Sequence, residues 1–80
     1  MTPYDIKIAP AAKRQFQLLP SKHKKWLIKL IETLAINPRP PGVKKIEGMT
    51  GLYRHDINSV HLIYKIEEQE VLILLVRAVF

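Results

Sequence analysis

Residues 52–66 read as an extended ribbon whose apolar side chains Tyr53, Ile57, Val60, Leu62, Tyr64 and Ile66 fall at alternate positions on either side of Asn58-Ser59. After the acidic gap Glu67-Glu-Gln-Glu70, residues 71–77 continue as a largely apolar run. Period-2 patterning over this length predicts one antiparallel ribbon with a buried face. Asn58-Ser59 stands where a two-residue hairpin turn belongs. In that register Ile57 faces Val60, Asp56 faces His61 and Arg54 faces Ile63. Directly opposed residues project on the same side of a sheet, so Arg54, Asp56 and His61 gather on one face. Tyr53, Ile57, Val60, Leu62, Tyr64 and Ile66 form the other, an apolar set suited to packing under helices.

The rest of the chain supplies those helices. Residues 4–8 alternate weakly, with Tyr4, Ile6 and Ile8 against Asp5 and Lys7, and predict a short first strand. Pro10 suits the first turn of a helix in which Ala12, Phe16 and Leu19 recur at helical spacing, and Pro20 ends it. Ser21 is placed to cap a second helix running to about Ile36. His23, Trp26, Leu27, Leu30, Ile31 and Leu34 form its buried arc, and Lys22, Lys25 and Lys29 gather on the opposite side. Asn37-Pro-Arg-Pro-Pro-Gly42 cannot continue a helix, because proline lacks a donor and biases the residue before it toward extended forms. It reads as a stiff connector. Gly48 and Gly51 then let the chain turn tightly before Leu52. The elements amount to an α+β fold in which helices cover one face of a sheet.

Eighty residues make one small domain. With no cysteine, neither disulfides nor thiolate metal sites hold it together, and a cytoplasmic location is expected. The first seven residues lack a signal peptide's apolar stretch. The longest apolar run, residues 71–76, is too short to cross a bilayer, so no membrane association is expected. The net charge of +6 is uneven: residues 1–54 hold eleven Lys and Arg against three Asp and Glu, and residues 55–80 hold two against four. Such asymmetry points to a polyanionic partner, either nucleic acid or an acidic protein segment. The acidic turn at residues 67–70 argues against that tip touching RNA.

Several chemistries are excluded. The three glycines, at 42, 48 and 51, make no phosphate-binding loop. His23, His55 and His61 lack metal-ligand spacing, so no metal or other cofactor is called for. The two serines, Ser21 and Ser59, sit at a helix start and a hairpin turn, away from any nucleophile arrangement. Acid and base chemistry on a basic surface remains. RNA is cut without metal when one group withdraws the 2′-hydroxyl proton, another protonates the leaving 5′-oxygen and a cation steadies the phosphorane. Imidazole titrates near neutrality, which makes His61 the candidate acid or base. Asp56 would orient it and Arg54 would bind the scissile phosphate. A plain cross-strand ion pair is the alternative for the same three residues. Lys22, Lys25, Lys29, Lys44, Lys45 and Arg54 are the candidate RNA-binding set.

Several segments resemble the RelE/ParE toxin superfamily: Asn-Pro-Arg-Pro at 37–40, Lys-Lys-Ile-Glu-Gly at 44–48, Gly-Leu-Tyr-Arg at 51–54 and Leu-Ile-Tyr at 62–64. Tyr4, Ala-Lys-Arg at 12–14 and Leu-Pro at 19–20 extend the likeness over almost the whole chain. The resemblance implies a single RelE-like toxin domain over residues 1–80: a strand, a helical hairpin and a three-strand antiparallel meander, with the helices on one face. It implies an mRNA interferase that cleaves mRNA in the ribosomal A site, inhibits translation and is neutralised by a cognate antitoxin. A ParE-like gyrase inhibitor, or a member that retains only antitoxin binding, is the alternative. Arg54 matches a basic position that the family turns toward the RNA backbone. Asp56 stands where Lys or Arg is common, and His61 where an arginine is usual.

Overall fold

The computed structural model describes residues 3–57 and 60–78, the side chains of Ile57 and Ala78 excepted. In chain order these are β1 (Asp5–Ile8), α1 (Pro10–Gln17), α2 (Ser21–Ile36), β2 (Lys44–Lys45), β3 (Leu52–Ile57), β4 (Val60–Glu67) and β5 (Glu70–Ala78). The five strands form one mixed sheet in the order β1-β5-β4-β3-β2. β3, β4 and β5 are the expected antiparallel meander, and β1 runs parallel to β5 at the far edge. β2, a two-residue strand beside β3, was not anticipated; it sets Lys44 against Arg54 and Lys45 against Tyr53.

The hairpin register is the expected one: Arg54 opposes Ile63, Asp56 opposes His61 and Ile57 opposes Val60. The Asn58-Ser59 turn itself lies outside the described residues. Gly51, at φ 78°, allows the entry into β3, where a Cβ would stand 2.9 Å from the Ile66 carbonyl oxygen. That close approach accompanies the bond from the Ile66 amide to the Gly51 carbonyl at 2.9 Å.

Two helix and strand boundaries differ from expectation. Tyr4 is not part of β1; its amide donates to the Ala35 carbonyl at 2.7 Å and ties the chain start to the end of α2. Ser21 does not cap α2. Pro20 takes the cap position with extended backbone (φ −58°, ψ 151°), and no side chain caps the helix. The Pro20 carbonyl accepts the first helical bond from the Lys24 amide at 3.0 Å. Proline's fixed φ fits that position, which moves Ser21 one step inside the helix, where its hydroxyl no longer meets the orphan amides.

The core lies between the sheet and the helical layer. Ala12, Leu19, Leu27 and Leu34 meet Val60, Leu62, Tyr64, Ile66, Val71, Ile73 and Val76, all buried. Trp26, Leu30, Ile31 and Tyr53 pack around this cluster partly buried, as the wheel of α2 requires. Among the described residues a histidine is buried on the covered face. His55, opposite Leu62, is 5% exposed, and its Nδ1 is buried without a hydrogen-bond partner. Burial pushes its pKa down, against the weaker opposing pull of Asp56 and a hydrogen bond with the Gly42 backbone. Burial thus favours its neutral form.

The proline connector is fastened to the sheet. The buried Tyr64 hydroxyl donates to the Pro38 carbonyl at 2.7 Å, and burial pushes its pKa up to about 12. Tyr53 stacks on Tyr64 with centroids 6.0 Å apart, and Arg39 donates to the Tyr53 hydroxyl at 3.1 Å. Tyr64→Phe should cost about 1–3 kcal/mol, because the Pro38 carbonyl is left buried without its donor. Urea denaturation followed by Trp26 fluorescence measures this, and a loss within error of zero would mean that the carbonyl finds another donor.

Candidate active site on the open face of the sheet

The helices leave the opposite side of the sheet uncovered, and its side chains fall into cross-strand rows. Lys44, Arg54, Ile63 and Leu75 make one row; Asp56, His61 and Arg77 make the next. Rows two residues apart along a strand lie about 6.5 Å apart, so the two guanidinium groups and the imidazole converge. Arg54, His61, Ile63, Leu75 and Arg77 line an open cleft of about 330 Å³.

Arg54, Asp56 and His61, singled out from the sequence, are in contact. Asp56 Oδ1 accepts from Arg54 Nε at 2.8 Å and stands 2.6 Å from His61 Nδ1, while Arg54 Nη2 stands 3.5 Å from the same ring nitrogen. A ring nitrogen that close to a carboxylate oxygen carries the proton, which fixes the tautomer and leaves Nε2 as the nitrogen available to a substrate. The three side chains are between one third and one half exposed, so the site is open to a large substrate.

Arg54, and after it His61, hold the Asp56 carboxyl down at about 2; Asp56 in turn raises the Arg54 pKa. The carboxyl's folded pKa lies below its ordinary value of 3.8. Whatever stability the pairing contributes is thus present above that value and lost as pH falls through about 2. An NMR titration should place the Asp56 carboxyl near the bottom of the carboxylate range, and Arg54→Ala should move it back up. An Asp56 titration that ignores Arg54→Ala would separate the two groups in solution.

Arg77 is the residue that the sequence reading missed. Tyr64 pairs with Ile73 but Ile63 pairs with Leu75, so Leu74 is an extra residue in β5. Strict alternation from Val71 and Ile73 would send residue 77 to the helix side. The bulge reverses the phase, buries Val76 and turns Arg77 to the open face beside His61. No local signal in residues 71–77 announces it.

The lysines of the expected RNA-binding set do not form one surface. Lys44 shares the row of Arg54, and Lys45 pairs with Tyr53 on the neighbouring register position. Lys22, Lys25 and Lys29 are exposed on α2, on the stripe opposite Leu27 and Leu34, and so lie across the sheet from His61. Among the described residues no group of three or more His, Asp or Glu is placed to hold a metal ion. No helix among them is long and apolar enough to cross a membrane.

Comparison with curated protein sequences finds no significant match. Solved structures are closely similar. A chain of the archaeal RelE–RelB complex from Pyrococcus horikoshii is 27% identical, with 98% of this chain and 96% of that one covered and a TM-score of 0.84. The RelBE2 toxin–antitoxin complex of Mycobacterium tuberculosis gives 21% identity, coverage of 96% and 99%, and a TM-score of 0.83. The YoeB dimer from Staphylococcus aureus gives 21%, coverage of 98% and 99%, and 0.77. At these lower identities the likeness is one of fold. The sequence profile of the ParE toxin of type II toxin–antitoxin systems (parDE) matches residues 6–78. With nearly all of its sequence matched and its fold shared with RelE structures, the chain belongs to the RelE/ParE superfamily of type II toxins.

Proposed function

We propose that this toxin is a ribosome-dependent endoribonuclease that cleaves mRNA in the A site and thereby inhibits translation. The observation that carries the reading is the 2.6 Å contact between His61 Nδ1 and Asp56 Oδ1, set beside Arg54 in an open cleft that also holds Arg77. His61 Nε2 takes the 2′-hydroxyl proton, the 2′-oxygen bonds to the adjacent phosphorus, and the bond from phosphorus to the 5′-oxygen breaks as that oxygen takes a proton from water; the imidazolium then returns its proton to solvent. Arg54 and Arg77 offset the negative charge that builds on the phosphorane. Asp56 stabilises the imidazolium and keeps the ring oriented.

The same face explains a need for the ribosome. Tyr53 and Tyr64 belong to the helix-covered side, and the residues that line the cleft include no Phe, Tyr or Trp for a base to stack on. A single-stranded substrate is held weakly on charge alone. A ribosome that presents the A-site codon in fixed geometry supplies the alignment that the cleft lacks.

RelBE2 is a toxin–antitoxin complex and the archaeal RelE is held in a complex with RelB, and by that likeness the partner of this chain is a cognate antitoxin in the cytoplasm. Inhibition of gyrase by protein contact is the second reading, favoured by the ParE description of the matching profile. Purified toxin added to programmed ribosomes and, separately, to a gyrase supercoiling reaction decides between them. A-site cleavage with unaffected supercoiling is expected; blocked supercoiling without cleavage would replace this reading with the second.

A further inference from the structure

His55 is buried, and the chemistry of the cleft does not use it. It stands on β3 between Arg54 and Asp56 but projects to the opposite face, with Leu62 across from it on β4. Its ring meets the end of the proline connector: a Cβ on Gly42 would stand 3.8 Å from His55 Cε1, and a hydrogen bond ties the ring to the Gly42 backbone. Nδ1 is buried without a partner. Gly42 holds φ at +91°, a conformation suited to glycine, and leads through Val43 into β2, where Lys44 pairs with Arg54. Residues 40–45 run between two fixed points. Pro38 is held by the Tyr64 hydroxyl at 2.7 Å, and the Ile46 amide donates to the Leu52 carbonyl at 2.9 Å. Between them Pro40 and Pro41 have no amide to donate and β2 is only two residues long, so this stretch belongs to the part of the fold that opens most easily.

From this arrangement we propose that His55 is a proton-operated latch on the catalytic row. Neutral, the imidazole holds residues 40–45 down on β3 and keeps Lys44 in the row of Arg54; protonated by solvent, it releases that segment and withdraws Lys44. The consequence for activity rests on the reading of the cleft as a nuclease site. The opening itself does not.

A neutral ring tolerates an unpaired Nδ1, since an orphan acceptor costs only its own desolvation. A proton on that nitrogen would set an unpaired donor and a positive charge in the same buried position, which costs far more. The surroundings offer little compensation. β4 presents Val60, Leu62 and Tyr64 on this face, all buried, and the Tyr64 hydroxyl is committed to Pro38. Asp56 pulls the ring toward its charged form, but it lies on the other face and is engaged by Arg54 and His61. The other charges nearby are cations that oppose a further one: Arg54 on β3, Lys45 of β2 at the register position of Tyr53, and Arg39 of the connector, 5.3 Å over the Tyr53 ring. On the inward arc of α2 the titratable residue is His23, whose charge would add to the same repulsion. Because burial lowers the pKa of His55, the closed form has its full stability above the ordinary value of 6.5 and loses it as pH falls from there toward the folded value. Opening returns the ring to water and to that ordinary value. Each pH unit within this window should raise the open population by up to about tenfold.

Amide exchange of the full chain, followed by NMR between about pH 7.5 and about pH 5.5, tests the latch. After correction for intrinsic exchange, protection of the Val43 and Lys44 amides should fall by up to about tenfold per unit below 6.5, and should stay well below that of Leu62, which opens with the whole fold. In the same spectra the His55 ring should titrate below 6.5. His55→Gln cannot take up a proton and should remove the pH dependence at Val43 and Lys44. Gly42→Ala strains the φ of +91° but keeps the imidazole, so it should raise opening at neutral pH and retain the dependence. On programmed ribosomes, cleavage by wild type should fall more steeply below 6.5 than cleavage by His55→Gln, in which the ionisation of His61 remains. Exchange at Val43 and Lys44 no faster than at Leu62, a ring that titrates at or above 6.5, or a pH dependence that survives His55→Gln would overturn the proposal. Parallel cleavage profiles in the two proteins would overturn the control of Lys44 by the latch. Absence of cleavage by wild type at every pH would remove the nuclease reading and leave exchange and ring titration to decide the latch.

Discussion

His61→Ala should lower mRNA cleavage on programmed ribosomes by about 10²–10⁴-fold, the scale of losing a general acid or base. The expectation follows from the division of labour within the cluster. Asp56 Oδ1 engages His61 Nδ1 at 2.6 Å and Arg54 Nε at 2.8 Å, so the carboxylate orients the imidazole and leaves Nε2 for the substrate. Alanine removes the proton carrier but keeps both arginines and the carboxylate. Phosphate binding should therefore survive better than turnover. The ring is about one third exposed, and its loss opens no core cavity; folding and antitoxin binding should change little. The pH–rate profile gives a second readout, since an ionisation present in wild type should be absent from the variant. His61→Arg restores the commoner family side chain, but Asp56 can hold the new guanidinium in a bidentate pair, and its effect reports whether that carboxylate restrains the site. Full cleavage by His61→Ala would move catalysis to the arginines and reduce the imidazole to a surface ion pair.

The site was legible in the sequence as far as regular alternation reaches. Arg54, Asp56 and His61 could be placed on one face because a two-residue turn between Ile57 and Val60 fixes every later pairing in β3 and β4, and the register is the one found. Arg77 was not legible, because the bulge at Leu74 is a property of how β5 twists against β4 and leaves no mark in an all-apolar run. His55 was passed over for a related reason. Alternation assigns it to the core side, where a histidine is not expected, and only the tertiary setting shows the ring buried beside Gly42. The parallel pairing of β1 with β5 is non-local and follows from where the helical hairpin delivers the chain, which periodicity alone does not encode. The lysines of α2 were correctly placed on the outer stripe. Their separation from the cleft became visible only once the helices were seated on one particular face of the sheet.

Leu27→Ala should cost about 2–5 kcal/mol, the range for truncating a fully buried leucine. Leu27 is 0% exposed, as is Leu34 one turn pair later, and both belong to the buried cluster that includes Leu62, Tyr64 and Ile73. Removing the isobutyl group loses its transfer free energy, and it also leaves a cavity between two rigid layers that relax only partly. On the sheet side Tyr64 is held by its bond to Pro38, and its strand β4 is paired on both edges, so that wall does not close readily over the gap. Leu30 lies on the same arc but is only partly buried, so Leu30→Ala should cost less than Leu27→Ala. The consequence is large because a domain of this size has little stability to spare. With about 5–15 kcal/mol typical of globular proteins and small domains near the lower end, the Leu27 variant should be substantially unfolded or close to it. Urea denaturation at matched temperature measures the order directly. Equal losses at Leu27 and Leu30 would mean that α2 rolls on the sheet to share its burial, and a loss below about 1 kcal/mol at Leu27 would contradict the packing of α2 on Leu62 and Tyr64.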